Sequence, residues 1–222
     1  MEKKFILTDK FVINSFGIKL FQIKCTKSFK YAQKGDFGGY VEKEGNLDQE
    51  NDAWVFGNAR VFGNARVSSN ARVSGDAWVS DNARVSGDAW VSDNAWVSSN
   101  AWVFGDALVS GYAWVSGDAR VFGNARVSGD AWVSGNARVS GDADIENDNE
   151  HCGFDGFGSC NRHTHAYMTK EKKVEIICGC FRGSIEEFEK KVEETHSGTV
   201  YEKQYKSIIN VIKIKFGLTD FT

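Results

Sequence analysis

The central part of the chain repeats a fixed pattern of apolar and polar positions every six residues, from Ala53 to Ile145. Ala occupies the first position of all sixteen hexads, and Val occupies the third in fifteen of them, with Ile145 in the last. Because residues two apart share one face of a strand, each hexad predicts a short strand with Ala and Val inward. The Gly-Asn and Gly-Asp pairs between strands, such as Gly57-Asn58, tolerate positive φ and predict a corner.

A corner every six residues indicates a solenoid, because such short strands do not build a stack of hairpins. In a parallel β-helix each strand pairs with the strand one coil later, and a short fixed repeat is typical of that architecture. Both ends of such a prism expose strand edges, so the sequence also predicts a cap at each end. The pattern alone leaves the handedness open, and the usual crossover rule favours a right-handed coil.

The hexad consensus [Val/Ile]-x-Gly-[Asn/Asp]-Ala-x, as in residues 61–66, resembles the hexapeptide repeat of left-handed parallel β-helix proteins. The resemblance covers residues 53–148 and implies a mainly β, left-handed triangular solenoid with three hexads, or about eighteen residues, per coil. Sixteen hexads then form about five coils. Many members of that family are acyltransferases, but a repeat indicates the fold and not the reaction.

The two flanks differ from the repeat in composition, because Lys is absent from residues 44–169 and frequent on either side. The first flank alternates apolar and polar residues around a turn at residues 14–17 and predicts an N-terminal β cap over residues 1–40. The solenoid is assigned to residues 41–148, because Val41 and Leu47 lie twelve and six residues before Ala53 and continue its hexad spacing.

Residues 149–222 are predicted to form a small α+β domain that caps the last coil. Residues 166–169 and 174–178 read as a hairpin around residues 170–173. Ser184 and Thr199 carry helix-start signatures and predict two helices. The apolar face of the second helix consists of Tyr205, Ile208, Ile212 and Phe216.

Two short segments carry a further resemblance. The leader, through Gln22-Ile23-Lys24 and residues 38–42, and the tail, through residues 178–181 and Glu187-Phe188, look like the ends of hexapeptide-repeat proteins commonly encoded by phages and prophages. This resemblance implies a phage-type protein acting in the cytoplasm of its host.

Composition excludes several classes of function. The net charge of −3 argues against general nucleic-acid binding. No apolar run approaches the length of a membrane span, and no secretion signal is visible. Five sparse cysteines, an odd number, favour a reducing, cytoplasmic setting.

At a period of eighteen, the outward residues of the hexads form three columns, one on each face. The first column holds Arg60, Trp78, Trp96, Trp114 and Trp132. The second holds Trp54, Arg72, Trp90, Leu108 and Arg126. The third holds Arg66, Arg84, Trp102, Arg120 and Arg138. We refer to the first as the Trp column and to the third as the Arg column.

The Trp column predicts an apolar patch of the size that marks an interface, at Trp78, Trp96, Trp114 and Trp132. We expect it to join copies of the chain into a homo-oligomer, with a trimer favoured as in many related β-helices. The alternative is that each indole simply packs flat on its neighbours.

The Arg column predicts an anion site at Arg66, Arg84, Arg120 and Arg138, because guanidinium groups bind phosphate bidentately. The alternative is a row of surface ion pairs with the corner residues Asp88, Asp106 and Asp142. If oligomerisation brought Trp and Arg columns together, the groove would suit a nucleotide by stacking and charge.

The chemistry of catalysis and metal binding is sparse. No His lies between residues 53 and 148, which weakens the acyltransferase hypothesis because that reaction on this fold uses a general-base His. A Cys/His group in the tail is the alternative zinc site, formed by Cys160, His163, His165, Cys178 and Cys180. Because the group lacks a Cys-x-x-Cys pair, we expect no metal, and no sequence feature indicates a cofactor.

The sequence therefore favours a non-enzymatic phage-type binding protein. Its expected partner is a host protein or a small, anionic, nucleotide-like molecule, as in an antagonist of host defence. A divergent acyltransferase and a purely structural spacer remain the alternatives.

Overall fold

The computed structural model describes residues 2–218 and consists mainly of a parallel β-solenoid of about six coils. A small antiparallel sheet continues one face at the N-terminal end, and a second antiparallel sheet with two helices covers the C-terminal end. The predicted fold class is confirmed, while the handedness of the coil stays a prediction.

Sixteen strands of two residues each form the repeat, and each strand takes the second and third positions of its hexad. In chain order, β4 to β19 are Trp54–Val55, Arg60–Val61, Arg66–Val67, Arg72–Val73, Trp78–Val79, Arg84–Val85, Trp90–Val91, Trp96–Val97, Trp102–Val103, Leu108–Val109, Trp114–Val115, Arg120–Val121, Arg126–Val127, Trp132–Val133, Arg138–Val139 and Asp144–Ile145.

Strands three apart along the chain pair in parallel, which stacks residues eighteen positions apart. Trp78 lies beside Trp96, and the inward Val79 lies beside Val97. The same register relates the other members of each predicted column, so all three columns are confirmed. The inward Ala and Val side chains are buried throughout and form one continuous core.

The corners use positive φ and close contact between coils. Gly75 has a φ of +68°, and a Cβ at this position would lie 2.8 Å from the backbone nitrogen of Asp93 in the next coil. Glycine therefore satisfies both the backbone conformation and the stacking distance. Four corners nevertheless place other residues at positive φ, namely Ser69, Asp81, Asp93 and Ser99.

The N-terminal cap contains β1 (Phe5–Ile13), β2 (Lys19–Cys25) and β3 (Phe37–Val41). The first two strands form an antiparallel hairpin, and β3 pairs in parallel with β5 of the solenoid. This cap and the Trp column thus share one eight-stranded sheet. A 3-10 helix follows at Glu44–Asn46.

The predicted phase of the first coil is wrong. Val41 pairs with Val61 and Leu47 with Val67, which is a spacing of twenty residues instead of eighteen. Both residues therefore occupy the Val position of a hexad and not the Ala position. The two extra residues lie in the polar segment 48–52, where the hexad pattern is absent and cannot report the phase.

Buried polar side chains close the N-terminal end. The Lys4 side chain is only 4% exposed, and its Nζ donates to the carbonyl oxygens of Ala53, at 2.9 Å, and of Asn51. Burial lowers the pKa of Lys4 to about 8. The buried Asn46 amide donates to the Gly63 and Ala65 carbonyls. Backbone carbonyl groups at this end have no preceding coil to pair with, and side-chain N–H groups satisfy them instead.

The C-terminal domain begins after a 3-10 helix at Asp148–Glu150. Its antiparallel sheet contains β20 (His151–Phe157), β21 (Arg162–Met168), β22 (Val174–Cys178) and β23 (Phe181–Ser184). Helices α1 (Ile185–His196) and α2 (Val200–Lys215) pack beside it.

Details of this domain agree with the sequence. The predicted hairpin is confirmed, since Met168 pairs with Val174. Ser184 accepts a hydrogen bond from the Glu187 amide at the start of α1, and Thr199 accepts one from the Glu202 amide at the start of α2. Tyr205, Ile208 and Ile212 are buried as expected, and Phe216 caps α2 in a half-buried position. Across residues 2–218, no helix is long and apolar enough to cross a membrane.

Candidate functional site

The exposed edge of the last coil is sealed by one face of β21. His165 Nδ1 lies 2.9 Å from the Arg138 carbonyl oxygen. The Tyr167 hydroxyl donates to Glu175 Oε1 at 2.6 Å and lies 3.3 Å from the Ser140 carbonyl oxygen. Since a carbonyl only accepts, Nδ1 of His165 carries the proton and its Nε2 accepts from His151 Nδ1 at 3.1 Å. Burial lowers the pKa of His165 to about 3, so this ring is neutral near neutral pH.

The alternative zinc site does not assemble. His165 uses both ring nitrogens in hydrogen bonds, and Cys178 is buried beside Thr164 and Tyr205. Cys160 and Cys180 are exposed. Within the part of the chain that the structure describes, no group of three or more His, Cys, Asp or Glu side chains is placed to hold a metal ion.

Three arginines converge on a cleft of about 470 Å³ between the Arg column and the C-terminal sheet. We name it the junction cleft. Strands β15 and β18 supply Arg120 and Arg138, and the start of β21 supplies Arg162. The complete lining is Asp118, Arg120, Asn136, Arg138, Asp155, Asn161, Arg162, His163 and Gly179. Its volume is within the range of small-molecule sites.

The two carboxylates of the junction cleft accept hydrogen bonds from His163 and from asparagine side chains. Asp155 accepts hydrogen bonds from His163 Nδ1 at 2.9 Å and from the Asn136 amide at 3.2 Å. Burial works to raise the pKa of Asp155, but these hydrogen bonds outweigh it and lower the pKa. Asp118 accepts from the Asn100 amide at 3.1 Å. Neither carboxylate is within ion-pair distance of a cleft arginine in the described residues.

The bond to Asp118 is the last in a ladder of corner side chains. Asn64 donates to Asn82, Asn82 to Asn100, and Asn100 to Asp118, each across one coil. The ladder runs beside the Arg column and is neutral until it reaches the cleft. The ladder therefore adds no carboxylate beside the arginines until Asp118.

The alternative interpretation of the Arg column, ion pairs with Asp88, Asp106 and Asp142, is contradicted by the structure. Across residues 2–218, no carboxylate lies within 4.0 Å of a side-chain nitrogen of the four predicted arginines, and the solenoid ion pair joins Arg126 to Asp144 at 3.7 Å in another column. Asp88 bonds along the solenoid axis instead, since it accepts from the Asn70 amide of the preceding coil at 3.1 Å.

Only half of the predicted anion residues come together. Arg120 and Arg138 line the junction cleft, whereas Arg66 lies at the far end of the column beside Glu44 and Asp48. Arg84 lies between them on the exposed surface. Sequence reasoning missed Arg162, because this residue reaches the cleft only when the C-terminal sheet docks. The sequence offered one indication, since Arg162 is the first residue of the strand that also carries His163 and His165.

The Trp column divides into a covered and an open half. Phe16, from the β1–β2 turn, contacts Trp78 and Trp96 with ring centroids 6.0 and 6.4 Å away. Trp114 and Trp132 remain 36% and 50% exposed and stack 5.2 Å apart. The apolar patch is therefore smaller than predicted.

Three of the four indoles of this column are also anchored within the chain. The N–H groups of Trp96, Trp114 and Trp132 donate to a serine of the preceding coil, sixteen residues earlier: Ser80, Ser98 and Ser116 respectively. Outside this column, Trp90 and Trp102 make the same bond to Ser74 and Ser86. Trp54, predicted to point outward, is buried under Phe5 and Phe29.

His163 is the side chain of the cleft whose type most often serves as a general acid or base. Its Nδ1 bonds to Asp155, which leaves Nε2 as the nitrogen that would exchange protons. Within residues 2–218, however, Nε2 is buried without a hydrogen-bond partner, beside Gly153, where a Cβ would lie 3.0 Å away. The ring therefore holds Asp155 in place and presents no free nitrogen to the cleft.

Comparison with known proteins supports the fold alone. Residues 65–81, 77–93, 83–99 and 119–135 match a family model described as the YdcK beta solenoid repeat. No curated protein matches the chain. The match covers part of the solenoid and neither cap, and it shows similarity to a β-solenoid repeat without indicating a ligand or reaction.

Proposed function

We propose that the protein is a non-enzymatic binding protein whose junction cleft holds a small, phosphate-bearing, nucleotide-like anion. The observation that supports this is the convergence of Arg120, Arg138 and Arg162 on one cleft whose carboxylates are already hydrogen-bonded to His163 and Asn side chains. Guanidinium groups without a paired carboxylate are free to bind phosphate oxygens bidentately.

The solenoid suits this role because it fixes two of the three arginines on a rigid frame. Arg120 and Arg138 occupy adjacent paired strands, so their Cα positions are set by the ladder. Side chains held by regular secondary structure lose less freedom on binding than side chains on loops.

Isothermal titration with inorganic pyrophosphate tests the proposal. We expect saturable binding to the wild type, weakened at least about tenfold in each of Arg120→Gln and Arg162→Gln, since each removes a charge-assisted hydrogen bond. Arg66→Gln is the matched control, because Arg66 belongs to the same column but lies outside the cleft. Absence of binding, or equal loss in the control, contradicts the proposal.

The biological setting that we propose is a phage- or prophage-encoded antagonist of host defence, acting in the host cytoplasm by sequestering such an anion. Its support is the resemblance of the leader and tail to phage-encoded repeat proteins. Engagement of a host protein is the other form of the same proposal. Native mass spectrometry of protein purified from its host distinguishes the two, because it reports a retained small molecule or a bound protein by mass. A purely structural spacer retains neither.

A second candidate is a divergent acyltransferase, in which the Asp155–His163 pair at the arginine-lined cleft would supply the general base once substrate binding uncovered His163 Nε2, which is buried in this structure. Those arginines would bind the phosphates of coenzyme A. Titration with coenzyme A, followed by an assay of acetyl-coenzyme A hydrolysis, separates it from simple capture. Binding with turnover that disappears in His163→Gln supports the enzyme, and binding without turnover supports capture.

We also propose that copies of the chain associate through the open half of the Trp column, as a homo-oligomer with a trimer favoured. Trp114 and Trp132 present stacked, half-exposed indoles on a flat sheet face. Size-exclusion chromatography with light scattering is the test. We expect an oligomer at micromolar concentration that dissociates in Trp132→Ser, and a clean wild-type monomer would refute the association.

A further inference from the structure

We propose that the ligand of the junction cleft carries a planar ring of the nucleobase type, and that this ring stacks on Trp102. The proposal rests on the proposed function and assigns a new residue to the same site. Trp102 is the aromatic member of a column otherwise made of arginines, and it lies one coil before the cleft. The residues that line the cleft itself include no Phe, Tyr or Trp on which a base could stack.

The position of Trp102 is fixed by strand pairing. Its backbone pairs with Arg120, the first arginine of the cleft, and Arg120 pairs with Arg138. Neighbouring strands lie about 4.8 Å apart, so the indole is one strand spacing from the first guanidinium-bearing strand and two from the second. That order, ring then arginine then arginine, matches a ligand with a base at one end and phosphates at the other.

The indole is held within the solenoid, and the Arg120 guanidinium lies over its ring. Its N–H donates to Ser86 of the preceding coil at 3.2 Å. Phe104 packs against it with centroids 4.6 Å apart. These contacts fix the ring and leave the face toward Arg120 for a ligand.

That face is covered only loosely. The Arg120 guanidinium carbon lies 6.0 Å from the Trp102 ring centroid, compared with 4.4 Å for Arg72 over Trp90 and 5.2 Å for Arg60 over Trp78. A ring inserted between indole and guanidinium needs two contacts of about 3.5 Å each, so Arg120 has to move by about 1 Å. Such a movement keeps the guanidinium stacked on the ligand ring and close to its phosphates.

Comparing ADP with inorganic pyrophosphate by isothermal titration tests the inference, because pyrophosphate retains the phosphates and lacks the ring. We expect Trp102→Ala to weaken ADP binding by about 5- to 150-fold, the usual contribution of one stacked base, and to leave pyrophosphate binding unchanged. Trp102→Phe should restore part of the ADP affinity.

Trp90→Ala is the matched control, because Trp90 makes the same indole-to-serine bond and an arginine contact in a column away from the cleft. ADP binding should be unaffected by this change. If Trp102→Ala leaves ADP affinity unchanged while pyrophosphate still binds, the ring site is refuted and the anion cleft stands. If neither compound binds the wild type, the proposed function itself fails.

Discussion

Both ends of the solenoid leave backbone carbonyl groups that need hydrogen-bond donors, and the two ends supply those donors from different side chains. At the N-terminal end a buried Lys4 amine and the Asn46 amide donate to carbonyls of the first coils. At the C-terminal end a neutral His165 ring donates to the Arg138 carbonyl of the last coil, and the Tyr167 hydroxyl lies 3.3 Å from the Ser140 carbonyl. The N-terminal cap closes the core with a hairpin that continues one sheet. The C-terminal cap is a separate sheet, and its docking leaves the junction cleft at the rim.

This difference indicates why the cleft with three arginines lies at the C-terminal end. A cap that extends an existing sheet adds few new surfaces facing the solenoid. A separate sheet packed on the end brings Arg162 and His163 of β21 beside Arg120 and Arg138. Sites at junctions between units are common for this reason.

The largest expected effect is at His165. His165→Ala removes a fully buried ring and leaves the Arg138 carbonyl and His151 Nδ1 without partners. We expect a loss of about 3–5 kcal/mol in the free energy of unfolding from the cavity and the unsatisfied groups. Urea denaturation followed by circular dichroism measures it. A loss below about 1 kcal/mol would mean that the seal contributes little.

The corresponding change at the other end is Lys4→Met, with a smaller expected loss of about 2–3 kcal/mol, because Met fills most of the volume but leaves two carbonyls without donors. Lys3→Met is the control, since Lys3 makes an exposed ion pair with Glu44 and should change stability by less than about 1 kcal/mol. Equal effects of the two changes would contradict a role for Lys4 in closing the end.

Acid should lower the stability of the protein through His165, which closes the C-terminal end of the solenoid. The folded pKa of His165 is about 3, below the ordinary 6.5, so the unfolded chain binds more protons between these values. Stability therefore falls as the pH drops below about 6.5, by about 2 kcal/mol at pH 5 from this group. Thermal unfolding from pH 7 to pH 5 checks the slope. In His165→Phe the acid dependence should be shallower, and an unchanged slope would assign it to other groups.

At alkaline pH the stability contributed by Lys4, which closes the N-terminal end, should change by the same proton-linkage argument. The pKa of Lys4 is lowered to about 8 from 10.5, so the unfolded chain again binds more protons between these values, and this group adds stability as the pH rises. The stability gap between wild type and Lys4→Met should therefore widen from pH 8 to pH 10, by up to about 1 kcal/mol per pH unit. Matched denaturant titrations of both proteins at each pH measure the gap, and a constant gap would refute the assigned burial.

The smallest expected effect is that of Tyr167→Phe. The change removes the hydroxyl that donates to Glu175 and lies beside the Ser140 carbonyl, while the ring remains. We expect a loss of about 1 kcal/mol, measured by denaturation. A loss as large as that of His165→Ala would show that the hydroxyl and not the ring network holds the seal.

Sequence reasoning succeeded where one local rule repeats. The stacking of Trp78 under Trp96 and of Arg120 under Arg138 follows from the hexad period, because strand pairing in a solenoid preserves register from coil to coil. It failed at Val41 and Leu47, because segment 48–52 adds two residues that no periodic position records. The alternative of ion pairs along the Arg column is contradicted as well, since corner side chains such as Asp88 and Asn82 bond along the solenoid axis.

By itself, the sequence determined the solenoid, its three outward columns, the hairpin and both helices of the tail, because each depends on contacts whose spacing is set locally or by a constant period. Only the tertiary structure decided which column residues form a site. Docking of the C-terminal sheet brought Arg162 and Asp155 to Arg120 and Arg138, and folding of the N-terminal hairpin covered Trp78 and Trp96 with Phe16. Those contacts join segments far apart in the chain, and their geometry depends on how whole sheets pack, which no repeat encodes.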